Sequence, residues 1–197
     1  MGATLSAEIA IAAARLVVEE GLGYGEAKRR AARDLRLGDR SPELPSNEQV
    51  EDEVRAWLEL YHGDSQPAEL AALRAIAAEW MERLAAFRPH LTGAVWRGTA
   101  TRRNSIRLDL FCDDSKSAEM ALIDMRVDYE VCSMDGPRGR VLDVLNVFET
   151  SPALGGVVGL ALTILDYDDL RGALRRDGRG RTERGDLAAL RLLIGPA

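Results

Sequence analysis

The chain has 197 residues, 46% hydrophobic and 29% charged, enough for one substantial core or for a small helical unit beside an α/β domain. Its 32 acidic and 26 basic side chains leave a formal charge of -6, which argues against a protein that coats nucleic acid or anionic membrane through its overall field. No run reaches the ~18 apolar residues of a membrane span, and the start of the chain lacks a basic segment, an apolar core and a small-residue cleavage site.

The expected compartment is therefore the cytoplasm. Lysine occurs only at positions 28 and 116, against abundant Arg, Ala and Gly, a usage expected of a GC-rich bacterial genome. Cys112 and Cys132 have no C-x-x-C spacing and are expected as free thiols.

The first 90 residues predict helices. Ser6 can cap a helix with Ile9, Ala13, Leu16 and Val17 on one stripe, and Gly21 can stop it. A second helix over 25–37 carries Ala27, Ala31 and Leu35 on one side and Lys28, Arg29, Arg30, Arg33 and Arg36 around it. Interspersed Glu26 and Asp34 and the lack of interleaved aromatics make this a solvated, salt-bridged face rather than a nucleic-acid surface, with the acidic stretch over 48–53 as its partner. After the connector over 42–45, Ser46 and Gln49 have capping-box spacing and open a helix with the stripe Val50, Val54, Trp57, Leu58 and Tyr61. A fourth helix starts near Pro67, with Leu70, Leu73, Ala77, Trp80, Met81 and Leu84 inward, and Pro89 forbids its continuation.

Beyond Pro89 the period becomes strand-like. Strands are expected over 92–97, 106–112, 127–133, 141–149 and 157–166, with a helix over 115–125. The mixed order implies a mixed sheet. The apolar run over 156–165 predicts a central strand covered on both faces. Asp166 caps a short helix carrying Leu170, Ala173 and Leu174, a Gly- and Arg-rich turn covers 177–185, and a last helix covers 187–194. The fold class is α+β: a helical unit over 1–90 packed on a small mixed-sheet α/β domain over 91–197.

One stretch carries chemistry. Val95-Trp96-Arg97-Gly98-Thr99 predicts a strand running into a Gly-Thr turn, and Ser105-Ile106-Arg107-Leu108-Asp109-Leu110-Phe111 a second strand. Strict alternation puts Ile106, Leu108 and Leu110 in the core and Arg107 and Asp109 on the other face. This layout resembles the nucleotidyltransferase superfamily of DNA polymerase β type. There, a Gly-Ser or Gly-Thr turn holds a triphosphate, and two carboxylates two apart on the next strand bind a metal pair. The resemblance implies a sheet of nucleotidyltransferase type, a phosphate site at Gly98 and Thr99, and catalytic Asp109.

The other carboxylate position is occupied by Arg107, whose charge repels the cations it should gather. A further carboxylate could come from Asp143, or from Asp128 or Glu130. Two readings follow. In one, the site is degenerate and non-catalytic, and Gly98, Thr99, Arg102 and Arg107, beside Arg97 and Arg103, bind a nucleotide or phosphorylated small molecule without metal. In the other, Asp109 with Asp143 or Glu130 serves a metal-dependent transferase, with magnesium as the expected ion, of unnamed acceptor.

No Cys or His spacing fits zinc, and His62 and His90 suggest no nucleophilic triad. The segments around Ala13 to Gly21, Ala27 to Ala32 and Arg88 to Trp96 are also similar to a group of short proteobacterial proteins, some labelled UDP-N-acetylmuramate–alanine ligase. The Gly-Lys-Ser or Gly-Lys-Thr phosphate loop of such ligases is absent.

Overall fold

The computed structural model describes residues 4–35, 44–112, 114–136, 139–171, 174, 176 and 179–195. It is α+β, with helices α1 (Leu5–Glu20), α2 (Tyr24–Asp34), α3 (Asn47–His62), α4 (Gln66–Arg83), α5 (Gly93–Arg97), α6 (Ser115–Asp124) and α7 (Leu187–Ile194). Its strands are β1 (His90–Thr92), β2 (Ile106–Phe111), β3 (Tyr129–Asp135), β4 (Val141–Ser151), β5 (Gly156–Leu165) and β6 (Arg184–Gly185). The chain forms two compact units, Met1–Pro67 with Thr99–Arg103, and Ala68–Gly98 with Asn104–Ala197. The division falls ahead of the change of period at Pro89, because α4 packs with the strands: Trp80 Nε1 donates to Glu149 Oε2 of β4 at 2.5 Å.

In the first unit α1 packs on α2 and α3. Thr4, not Ser6, caps α1, and Gly21 closes it in the left-handed region at φ +71 with its N–H donating to Val17 O. Ile9, Ala13, Leu16 and Val17 share one core with Ala27, Ala31, Val50, Val54 and Leu58. Ser46 and Gln49 form the reciprocal capping box at the start of α3. At the other end of that stripe Tyr61 is exposed and stacks on the partly buried Trp57 with centroids 4.5 Å apart. The stripe therefore buries three turns rather than four.

The basic helix is salt-bridged. Arg30 binds Glu20 of α1 at 2.5 Å and lies 3.8 Å from Asp34 of its own helix. Lys28 Nζ reaches Pro45 O at 3.0 Å and Asn47 Oδ1 at 2.9 Å, tying α2 to the entry of α3.

The second unit is built on one mixed sheet with strand order β3-β4-β5-β2-β1-β6. β2 and β5 are parallel and the other pairings antiparallel. The registers assign every side chain to a face. Val131, Leu145, Leu162, Leu108 and Leu91 form one row across five strands, and all but Val131 are buried. The neighbouring row on the opposite face is Cys132, Val144, Thr163, Asp109 and His90.

The central strand β5 departs from expectation. Val158, Leu160, Leu162 and Ile164 are buried, whereas Val157 on the other face is 64% exposed. The apolar run thus covers one face, and on the other Phe111, Leu142, Leu165 and Leu170 cluster. The helix expected after Asp166 is a 3₁₀ turn over Tyr167–Leu170, with Asp166 accepting from Asp168 N; Ala173 lies outside the described residues.

Candidate functional site

The segment read as a strand over 92–97 is two elements. β1 ends at Thr92, Gly93 turns the backbone at φ +71, and the five-residue α5 follows. The apolar residues Val95 and Trp96 suit either element, so alternation could not separate them. Gly98 caps α5 in the left-handed region at φ +80. Arg74 of α4 closes that helix end, donating from Nε to Val95 O at 3.2 Å and from Nη2 to Trp96 O at 3.4 Å. Burial lowers the Arg74 pKa. The turn beside β2 is therefore made by Gly93, and Gly98 is a helix cap.

Gly93 lies under Arg107: a Cβ there would sit 3.4 Å from Arg107 Cδ. Gly93 is buried, the Arg107 stem covers the place a Cβ would take, and the next residue is Ala94, with no hydroxyl.

β2 has the alternation that its sequence predicts. Ile106, Leu108 and Leu110 are fully buried, Arg107 is exposed, and Asp109 shares the Arg107 face. Asp109 is not open to a cleft, however. Its side chain is 13% accessible and its Oδ2 lies 2.6 Å from Arg184 Nη1. Burial pushes the Asp109 pKa up, against the opposing pull of Arg184, His90 and Arg107.

Arg184 reaches Asp109 because β6 is pinned. Its neighbour Gly185 pairs with Leu91, and Trp96 lies where a Cβ on Gly185 would be, 2.1 Å from the ring. Trp96 Nε1 also donates to Thr182 O at 2.7 Å. Arg184 pairs with Thr92, and Thr92 pairs with Arg107, so the two guanidinium-bearing residues flank Thr92 on one face. The buried Nε of Arg184 has no hydrogen-bond partner among the described residues, although a buried donor ordinarily has one.

His90 completes the surroundings of Asp109. It pairs with it across β1 and β2, is 6% exposed, stacks edge-on to Phe111, and has Nδ1 2.8 Å from Arg88 O.

The other expected carboxylates do not gather here. Asp143 pairs with Ser133, one position out of phase with the Val144, Thr163 and Asp109 row, and so projects from the opposite face. Asp109 and Asp143 therefore do not form a carboxylate pair: the sheet lies between them. Glu130 is on the Asp109 face, but in β3, at the far edge. Asp128 is exposed ahead of β3.

Thr99 and Arg102 count with the first unit. Thr99 is buried and its hydroxyl lacks a partner among the described residues, while Arg102 is exposed. Arg103 docks on the end of α1, donating from Nη1 to Glu19 O at 2.5 Å, where a cation meets the negative end of the helix dipole.

A magnesium pair needs several oxygen donors, usually two or three carboxylates. The donor set here is one carboxylate engaged by Arg184 and neighboured by Arg107, which does not fit. Among the described residues no group of three His, Cys, Asp or Glu side chains could hold a metal ion. Chemically the cluster offers two guanidinium groups and a threonine hydroxyl, donors that suit an anion.

Sequence reading missed Gly93, Thr92 and Arg184. The Thr92-Gly93-Ala94 sequence carries a turn signal at its glycine, whereas Arg184 lies 75 residues after Asp109 on a two-residue strand that no periodicity reveals.

No protein-family model and no curated protein matches the sequence. Among solved structures, the chain is similar to the MgGTP-bound Cid1 poly(U) polymerase, with a TM-score of 0.35 and 11% identity over 48% of this chain and 32% of that one.

Proposed function

We propose that this chain is a nucleotidyltransferase-like protein whose site binds a phosphate-bearing small ligand, a nucleotide or a phosphorylated metabolite, without catalysing transfer. The observation that carries this reading is the Arg184–Asp109 ion pair at 2.6 Å. It engages the carboxylate that would hold a cation, and the buried Arg184 Nε has no acceptor among the described residues.

Arg107 adds a second cation on the same face, and Thr92 between them supplies a hydroxyl. One phosphate oxygen would take the Arg107 fork, and a second would face Arg184, whose side chain is 25% accessible. Gly93, having no Cβ, lets the Arg107 stem lie against the backbone there. Asp109 orients Arg184 rather than a metal.

A thermal-shift panel of nucleoside triphosphates, pyrophosphate and sugar phosphates, each with magnesium and with EDTA, tests the reading. Stabilisation by a phosphate-bearing compound in EDTA is expected, reduced in Arg107→Ala. Stabilisation only with magnesium, together with nucleotide transfer to any acceptor, would favour a metal-dependent transferase instead.

A further inference from the structure

The sheet ends unequally. One edge is β6, two residues long, and the other is β3, seven residues long and, among the described residues, paired only with β4. An edge strand presents a row of unpaired N–H and C=O groups, and soluble proteins usually blunt it with Lys, Pro, a bulge or a covering element. β3 has none of the first three. Its sequence, Tyr-Glu-Val-Cys-Ser-Met-Asp, contains no Lys, Arg, Pro or Gly, and its register with β4 runs unbroken from Tyr129↔Val147 to Asp135↔Val141.

Every residue from Glu130 to Asp135 is exposed, including Val131 at 54% and Met134. The adjacent helix adds to the apolar surface. Tyr129 Oη donates to Glu119 Oε2 at 3.1 Å, which fixes the flank of α6 that faces β3. Ile123, four residues on from Glu119, lies on that flank with Met120 beside it, and both are exposed.

We propose that β3 pairs antiparallel with β3 of a second copy of this chain, about a two-fold axis at Cys132, joining the two sheets into one. A two-fold axis normal to the sheet keeps each side chain on its own face, so only registers centred on a residue are allowed. Centring on Cys132 is the one that uses all seven residues. It sets Val131 opposite Ser133, Glu130 opposite Met134 and Tyr129 opposite Asp135. No carboxylate then meets another across the ladder, where like charges destabilise. The same axis brings both α6 helices to one side of the joined sheet, where Met120, Ile123 and Val131 of the two copies cover one another.

Sedimentation velocity on the full chain over the micromolar range, with mild copper–phenanthroline oxidation, tests the pairing. Directly opposed residues of an antiparallel pair have Cβ atoms about 4.5 to 5.5 Å apart, within reach of a Cys132–Cys132 crosslink after small adjustment. A dimer is expected, crosslinked in Cys112→Ser and not in Cys132→Ser. Val131→Lys and, separately, Ile123→Glu should each weaken the dimer by at least about tenfold, with circular dichroism unchanged. Because Ile123 is outside the strand, its variant keeps the test informative if Val131→Lys perturbs the sheet. A wild type that stays monomeric, or a dimer that neither crosslinks at Cys132 nor responds to these variants, would overturn the proposal.

Discussion

Arg184 and Asp109 face each other at 2.6 Å across a strand that neither belongs to: β6 and β2 flank β1 on opposite sides. The ion pair therefore reports whether the edge strand is seated. Gly185 is the seat, because a Cβ there would stand 2.1 Å from the Trp96 ring. Gly185→Ala should displace β6 and cost about 1 to 3 kcal/mol, as overpacking does, measured by urea unfolding. An unchanged midpoint would mean that Trp96 has room to move.

Asp109 makes a pH prediction. Its pKa is raised above the ordinary 3.8, mainly by burial. In the window between that ordinary value and the raised one, the folded chain holds a proton that the unfolded chain has lost. The contribution of this group to stability is thus fully present at lower pH and falls as pH rises through the window. The difference in unfolding free energy between wild type and Asp109→Asn, measured in acid, should shrink or turn against the wild type as pH rises across it. A difference that grows with pH would mean that Arg184 outweighs burial.

Two glycines separate backbone strain from site geometry. Gly93 and Gly155 both have positive φ, at +71 and +65, yet a Cβ at Gly155 meets nothing within 4 Å whereas one at Gly93 meets Arg107 Cδ at 3.4 Å. Alanine at either should cost about 1 to 2 kcal/mol for the left-handed backbone. Only Gly93→Ala should also weaken phosphate-ligand binding, read by calorimetry on both variants. Equal binding by the two would remove Gly93 from the site.

Much of the architecture was legible because it rests on long periodic stretches. The capping box at Ser46 and Gln49, the α1 stripe and the alternation of Ile106, Leu108 and Leu110 each repeat one signal over several turns or residues. The site was less legible. Asp109 and Arg107 share a face because they are two apart, a local rule, but the partner of Asp109 is set by the β1–β6 register, which is not local. Asp143 failed for the same reason: its own strand alternates correctly, and only the pairing with β5 decides which face it takes. A glycine at a helix end and a glycine at a phosphate turn look alike in sequence, and Arg74, which closes the helix end at Gly98, is 24 residues away.

The first unit should fail by its own core. Ile9 is fully buried among residues of all three helices. Ile9→Ala should destabilise by about 2 to 5 kcal/mol, the transfer and cavity cost of a large buried aliphatic. A loss below about 1 kcal/mol in denaturant unfolding would show that α1 is loosely packed, since a site that collapses fully recovers most of the cavity term.

The central claim is that the Arg107 and Arg184 face binds phosphate without metal. Isothermal titration of the compound selected by thermal shift, in EDTA, into wild type and Arg107→Asp tests it most directly. Binding by the wild type, lost or at least about tenfold weaker in Arg107→Asp, is the predicted result. Magnesium-dependent binding that Arg107→Asp strengthens and Asp109→Asn abolishes would contradict it.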